Sequence, residues 1–345
     1  MTDFLGETWF WVLALVNHVF GMMYWMWLPG FALSGLLFAR YHRPLRIRLA
    51  KTRRVTSSSL WLALSAGTTG SSNRGTIQRD LKAILLKGVP LSLALVSLIG
   101  GLNLVLYALS FLTLNLGIEF FLGQVIGALV MAGAAATLAF LLPEESRAGV
   151  PEESNPALAE TIVIARQEVS RGQPLAKGLV RYFGREWRGI WLSALLGLFL
   201  AGVIATLGQR DWWPDFERLM GGGARAEVGN AFLGALLGVF FFASPIGHLF
   251  IASLLWKTYT LTFGGILAFI LSSAVSPQAL WGYCQTFGRG PGLRAGGLLY
   301  LSSALGALAV VGLFQLVGFE VTHTPLFHEF VNEVMMFFSI FGGRM

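Results

Sequence analysis

Residues 56–87 read TSSSLWLALSAGTTGSSNRGTIQRDLKAILLK, and this stretch decides the fold. Two short apolar pieces, residues 60–64 and 84–86, flank a small polar centre at residues 67–75. A helix needs about 20 apolar residues to cross the hydrocarbon layer, so neither piece can span it alone. Non-helical backbone at membrane depth is tolerated only inside protein or against water. The stretch therefore predicts a re-entrant helical hairpin that enters and leaves on one side.

The rest of the chain is typical of an integral membrane protein. Of its 345 residues, 55% are hydrophobic and 12% are charged, whereas soluble domains carry about 25% charged residues. Residues 88–118 and 258–288 contain no Asp, Glu, Lys or Arg, and each run is long enough to cross a bilayer. The net charge of +7 is concentrated in short loops, which indicates membrane orientation rather than nucleic-acid binding. The pattern argues against a soluble enzyme.

Apolar runs and polar interruptions follow the same order in both halves. A second hairpin is predicted in the apolar stretch 228–256, which SPIGH interrupts at residues 244–248. Because that stretch has 29 residues, a single span stays open as the alternative. The second span of each half is interrupted by small or polar residues, at Gly100, Gly101 and Asn103 and at Ser272, Ser273 and Pro277. The predicted spans are residues 10–39, 89–114, 120–142, 190–207, 260–285 and 295–318.

Basic residues indicate the orientation of these spans. If each half crosses three times, the odd count inverts the second half relative to the first. Placing the basic loop 40–54 in the cytoplasm also places the linker 143–188 and the loop around Arg289 there, and leaves the N-terminus outside. The predicted fold class is an all-α polytopic protein of the bacterial inner membrane, with two inverted repeats. The predicted regions are an N-terminal repeat at 1–142, a cytoplasmic linker at 143–185, a C-terminal repeat at 186–318 and a tail at 319–345 that includes an extra segment.

The hairpin tips and the two breaks form the predicted substrate site. Inverted halves with broken helices are a recurring plan of secondary transporters, which bind their substrates near the bilayer midplane. Hydroxyl and amide groups can replace water around a small solute, and an arginine at the tip favours an anion. The alternative is that these small residues merely let helices pack closely, with a neutral histidine in the packing. The predicted substrate-binding residues are Thr68, Thr69, Ser71, Ser72, Asn73, Arg74, Asn103, Ser244, His248, Ser272 and Ser273.

Motifs of catalysis are absent from the sequence. There is no phosphate-binding loop, zinc spacing, nucleophile elbow or pair of catalytic carboxylates, so no enzyme activity, cofactor or metal is expected. His248 could couple transport to protons, since histidine titrates near neutral pH. Asp80 could relay protons, or it could reach cytoplasmic water beside Arg79. Cys284 is the single cysteine, so no internal disulfide can form.

Four stretches resemble the bacterial predicted-permease family that includes the trivalent organoarsenical efflux permeases. They are residues 85–105, residues 120–142, SPIGH with the residues that follow it at 244–256, and TFGGILAFI at 262–270. The resemblance implies a permease of the fold described above. Members of that family often carry cysteines at the first hairpin tip, where Gly70 to Asn73 stand here, and another near Ser244. Since thiolates are the soft ligands that suit arsenic, their absence here argues against the same cargo chemistry.

The sequence thus predicts a permease that moves a small polar or anionic solute by alternating access between the two hairpin tips. The alternative is a non-transporting membrane scaffold or assembly subunit of a larger complex. The expected partners are the lipid bilayer and a small solute or ion, without nucleic acid. A protein complex or a homo-oligomer stays open.

Overall fold

The computed structural model describes residues 2–22, 24–72, 74–85, 87–141, 175–207, 224–241, 245–257 and 260–321. These residues are helical almost throughout and contain no β-strand, which confirms the all-helical prediction. The helices of the first half are α1 (Thr2–Met22), α2 (Tyr24–Leu37), α3 (Arg43–Ala50), α4 (Ser57–Thr68), α5 (Arg74–Leu85), α6 (Leu91–Asn103), α7 (Leu106–Leu116) and α8 (Ile118–Leu138). Those of the second half are α9 (Leu175–Leu207), α10 (Ala224–Phe240), α11 (Pro245–Lys257), α12 (Phe263–Leu271), α13 (Pro277–Phe287) and α14 (Arg289–Leu316).

Four stretches of helix in the described residues are long and apolar enough to cross a bilayer. They are residues 118–138, 176–207, 263–285 and 289–316, and the bent pair α6–α7 makes a fifth if it counts as one span. The first predicted span, residues 10–39, corresponds to α1 and α2, which are not among these candidates; residue 23 lies outside the described residues. The chain is therefore a multi-pass helical protein.

The first hairpin consists of α4 and α5, at the position that the sequence predicts. Thr56 and Ser59 form a capping box at the start of α4, because each side chain accepts from the other residue's backbone N–H, at 3.2 and 2.7 Å. Each helix has 12 residues, about 18 Å at the α-helical rise, which is too short to cross the hydrocarbon layer. The second predicted hairpin corresponds to α10 and α11, with residues 242–244 outside the described part.

Both spans that follow the hairpins are interrupted. α6 ends at Asn103 and α7 starts at Leu106, with a bend of 48° between them. In the second half, α12 ends at Leu271, a 3-10 turn follows over Ser272–Val275, and α13 then begins at Pro277. Proline is favoured in the first turn of a helix because its missing N–H has no partner there in any case. Both breaks lie at the positions that the sequence predicts.

Glycines bring each hairpin against the broken span of its own half. α4 packs along α6, and α10 packs along α12. A Cβ atom at Gly67 would overlap the carbonyl oxygen of Ser97, and one at Gly234 would overlap that of Gly265. Small residues of this kind let helix backbones approach closely within a membrane. α8 packs against α14 between the halves, while α5 contacts α13 and α11 contacts α7 across them.

α9 begins well before the span that the hydropathy pattern predicts at residue 190. It starts at Leu175 and carries the basic segment around Arg181 and Arg188 as helix. The prediction started later because a hydropathy pattern ends a span at the first charged residue. The backbone hydrogen bonds of the helix continue through the charged residues at the membrane interface. Most of the predicted linker 143–185 and of the tail 319–345 lies outside the described residues.

Candidate functional site

The two breaks face one cavity, which is called the central cavity below. Asn103, at the end of α6, lines it together with Ser273 from the 3-10 turn and Gln124 from α8. The cavity, of about 10 Å³, has room for about one water molecule. The remaining lining is apolar and comes from both halves, namely Leu102, Ala108, Leu109, Leu112, Leu249 and Ile270.

Asn103 and Gln124 supply the amide groups of the central cavity. The Gln124 side-chain amide donates to Oδ1 of Asn103 at 2.9 Å, and both side chains are 2% exposed. Nδ2 of Asn103 and Oε1 of Gln124 have no hydrogen-bond partner in the described part of the chain. Leaving a buried polar group unpaired costs about 1–3 kcal/mol. A polar guest that accepts from Asn103 and donates to Gln124 would recover that free energy.

The lining of the central cavity carries no formal charge. Its polar groups are two carboxamides and a serine hydroxyl. Such groups exchange hydrogen bonds with an uncharged polar molecule without having to neutralise a charge. The single cysteine of the chain, Cys284, lies on α13 and is not part of the lining, so the cavity offers no thiolate.

The first hairpin tip has several different roles. The hydroxyls of Thr68 and Thr69 donate to the carbonyls of Leu64 and Ser65 at 3.0 and 2.9 Å, and so complete the end of α4. Ser71 lines a second cavity inside the hairpin, and Ser72 is hydrogen-bonded to the hydroxyl of Tyr107. Asn73 and the side chain of Arg74 lie outside the described part.

The predicted site residues of the second half that the structure describes, apart from Ser273, contact their own half and do not line the central cavity. His248 is fully buried, with Nε2 3.2 Å from the carbonyl oxygen of Gly238 and its ring 5.0 Å from that of Phe269. The Ser272 hydroxyl donates to the Phe269 carbonyl at 2.9 Å. Ser244 lies outside the described residues. Of the predicted site residues that the structure describes, it thus brings Asn103 and Ser273 together in the central cavity and places His248 and Ser272 inside the second half.

The second cavity, called the hairpin pocket, lies between α3, α4, α5 and α6. Asp80 is 30% exposed there and accepts from Nη1 of Arg46 at 2.8 Å, with Nε2 of His42 4.0 Å away. His42 lies outside the candidate spans, and its burial, with the neighbouring Arg46 and Arg185 guanidiniums, lowers its pKa to about 3. His42 is therefore neutral at physiological pH, and Asp80 pairs with the basic segment that the sequence places in the cytoplasm.

Sequence reasoning missed three residues, namely Gln124 in the central cavity, and Tyr107 with its partner Glu186, which connect to Ser72 of the first hairpin tip. Glu186 on α9 is completely buried and accepts from the Tyr107 hydroxyl and from Nε of Arg185, each at 3.2 Å. Two signals were available in the sequence. Gln124 is a lone amide in an apolar span, and Glu186 is the only acid among the basic residues of 177–188.

A known protein family matches most of this chain. Residues 11–311 match the family model ArsP_1, described as "Predicted permease". The chain belongs to this permease family. Its membership confirms the resemblance that the four sequence stretches indicate, and it supports a role as a membrane permease.

This permease also resembles a curated protein of Mycobacterium tuberculosis, named "Putative permease Rv2963". The two are 25% identical over 269 residues, which cover 74% of this chain. The same region spans 66% of the mycobacterial protein, a little under two thirds of its length. No solved structure matches the permease described here.

Proposed function

We propose that this permease moves a small polar solute across the bilayer by alternating access, with the central cavity as its binding site. The observation that carries the proposal is the pairing of Asn103 and Ser273, one from each break, in one buried cavity with Gln124. Discontinuous helices that meet near the midplane are where secondary transporters bind their substrates. The uncharged lining favours a neutral polar solute over an anion.

The contacts between elements support two inverted repeats. If each element of one half is replaced by its counterpart in the other half, the pair α4–α6 becomes α10–α12 and the pair α5–α13 becomes α11–α7. All four of these pairs are in contact. α8 and α14, the third spans of the two halves, pack against each other. Three crossings in each half would invert the second relative to the first, as the distribution of basic residues also predicts. Rocking of one repeat against the other would then expose the central cavity to each side in turn.

The closed state of the central cavity indicates which elements have to move. Since its volume suits about one water molecule, a solute can enter only if a wall withdraws. Leu249 on α11 and Leu112 on α7 both line the cavity, and the Phe250 and Phe111 rings of the same helices contact edge to face at 4.9 Å. Separation of α11 from α7 would open the cavity.

Flux measurements on the purified full-length chain in proteoliposomes test the proposal. The solutes are a panel of small neutral amides and polyols, with a parallel panel of oxyanions. We expect flux of at least one neutral solute, which Asn103→Leu and Gln124→Leu should abolish while the protein remains folded. Thr137→Val is the matched control, because Thr137 lies exposed on the same helix as Gln124 and donates only to Gly133 of its own helix. A protein that transports no member of either panel and co-purifies stoichiometrically with another complex would favour the scaffold alternative instead.

A further inference from the structure

Glu186 is a carboxylate in an unusual position for a membrane helix. Its side chain is 0% exposed, although it lies within the candidate span 176–207. Burying a charge is costly unless it is paired, so a carboxylate without exposure usually marks an ion pair or a functional site. The carboxylate has two donors in the structure, the Arg185 guanidinium and the Tyr107 hydroxyl.

A chain of hydrogen bonds connects this carboxylate to the first hairpin tip. Tyr107 has a single hydroxyl proton and donates it to Oε2 of Glu186. The hydrogen bond between Ser72 and Tyr107 must then have Ser72 as its donor. Ser72 is 2% exposed at the tip, and the Tyr107 backbone N–H is held separately by the Ser34 hydroxyl at 2.9 Å. The tip of the first half is thus tied, through α7, to the ionisation of a residue on α9 in the second half.

Arg185 is placed so that it can leave this pair. Its side chain is 32% exposed, and its guanidinium carbon lies 4.6 Å from the centre of the Phe38 ring. Nη2 of Arg185 has no hydrogen-bond partner in the described part of the chain. Without Arg185, an ionised Glu186 would be a buried charge with one remaining donor, which desolvation strongly disfavours. A proton on the carboxylate can take the place of the guanidinium.

We propose that Glu186 is the proton-binding residue of the transporter and that its protonation releases the first hairpin tip. The coupling role rests on the proposed function. A proton taken from water binds Oε2 of Glu186, the ion pair with Arg185 is lost, and the Tyr107 hydrogen bond becomes a bond between neutral groups. Charge-assisted hydrogen bonds are roughly twice as strong as neutral ones, so the tip is held more weakly.

The neighbouring charged groups agree with a proton rather than a metal cation as the ligand. Tyr182 and Arg185 face Glu186 from α9, and Tyr107 faces it from α7. The His42 ring stacks on the Phe38 ring, with 4.8 Å between their centres, and Nε2 of His42 lies 4.0 Å from Asp80, which pairs with Arg46 in the hairpin pocket. A metal ion would meet the Arg185 charge with a single carboxylate to offset it.

The test uses the full-length chain with Cys284→Ala and a single new cysteine at Ser71, beside Ser72 in the tip. The rate of its modification by a membrane-impermeant maleimide is measured from about pH 8 to about pH 5. Ser57→Cys, exposed at the start of the same hairpin, corrects for the ionisation of the thiol. We expect the corrected rate to rise roughly fivefold as the pH falls, because the charge-assisted bond is lost. Glu186→Gln should remove this dependence, while Glu227→Gln and His42→Gln should retain it.

Infrared difference spectra over the same pH range measure the protonation itself. We expect a protonated-carboxyl band in the parent protein that is missing in Glu186→Gln and is retained in Tyr107→Phe, where only the link to the tip is cut. A pH-dependent rate that survives Glu186→Gln, or a band that does, overturns the proposal. Neither measurement uses solute flux. Intact proton responses without flux would therefore contradict the proposed function alone, and flux without these responses would contradict the inference alone.

Discussion

The side-chain amide of Gln124 on α8 donates a 2.9 Å hydrogen bond to Oδ1 of Asn103, the last residue of α6. This bond joins the break of the first broken span to the helix that packs beside it. It also leaves one donor and one acceptor directed toward a cavity that Ser273 reaches from the other half. Because the two amides depend on each other, their contributions to stability should not be additive.

We expect Gln124→Leu to lower the free energy of unfolding by about 1–3 kcal/mol, since Asn103 then lacks its donor. Asn103→Leu should cost a similar amount. The double variant should cost clearly less than the sum, because residues that share a hydrogen bond couple in a double-mutant cycle. Thermal unfolding of the four proteins in one detergent measures the coupling. Strictly additive losses would contradict the pairing.

We expect Gly67→Ala and Gly234→Ala to destabilise the protein by about 1–3 kcal/mol each, as overpacking of a tight contact does. At both positions the added methyl would overlap a backbone carbonyl oxygen, which cannot turn aside as a flexible side chain could. Gly133→Ala is the matched control, because its position on α8 is exposed and open. It should be neutral or slightly stabilising, since alanine favours helix. Equal thermal midpoints for all three variants would rule out close packing at the hairpins.

We expect Glu227→Gln to weaken the start of α12. One carboxylate oxygen of Glu227 accepts from the Thr262 hydroxyl at 2.8 Å and from the Gly264 N–H at 3.2 Å. The loss should be about 1–2 kcal/mol, because charged acceptors make the stronger hydrogen bonds. Hydrogen exchange at residues 263–271 should rise along with the fall in thermal midpoint. Glu119→Gln, an acid in the first turn of its own helix, should leave that exchange unchanged.

We expect His42 to make the protein less stable in acid. Burial, followed by the Arg46 and Arg185 charges, lowers its pKa from 6.5 to about 3 in the folded state. The unfolded chain therefore binds more protons between these values, so stability falls as the pH drops from about 6.5 toward 3. In His42→Gln, the thermal midpoint should change less with pH over this interval. An unchanged slope in the variant would assign the acid sensitivity to other groups.

We expect the basic loop and the start of α14 to lie on one side of the membrane and the N-terminus on the other. Single cysteines at Ser57 and Gly290 in the Cys284→Ala background should react with impermeant reagents only from the cytoplasmic side. Cysteines at Gly6 and Ile118 should react from outside. All four positions are exposed, so accessibility within the fold does not limit the reaction. Labelling of Gly290→Cys from outside would contradict the inverted second half.

Much of the fold could be predicted from residue chemistry alone. The uncharged runs predict helices within the membrane, and the polar centre at residues 67–75 predicts that α4 and α5 stop short of crossing it. The glycine and asparagine near residues 100–103 and the serines with Pro277 predict where two helices break. These features are local, since they follow from hydropathy, length and backbone preference within one segment.

The partners across the fold could not be predicted in this way. Nothing local to Gln124 indicates that it faces Asn103, and Glu186 could have faced water with the arginines around it. The direction in which each helix turns is set by packing against other segments, and that packing also placed His248 inside the second hairpin rather than in the central cavity. The sequence by itself determined a helical membrane protein with two broken helices, and it predicted a hairpin in each half. Only the tertiary structure decided which polar groups meet, because contacts between distant segments depend on the orientation of whole helices.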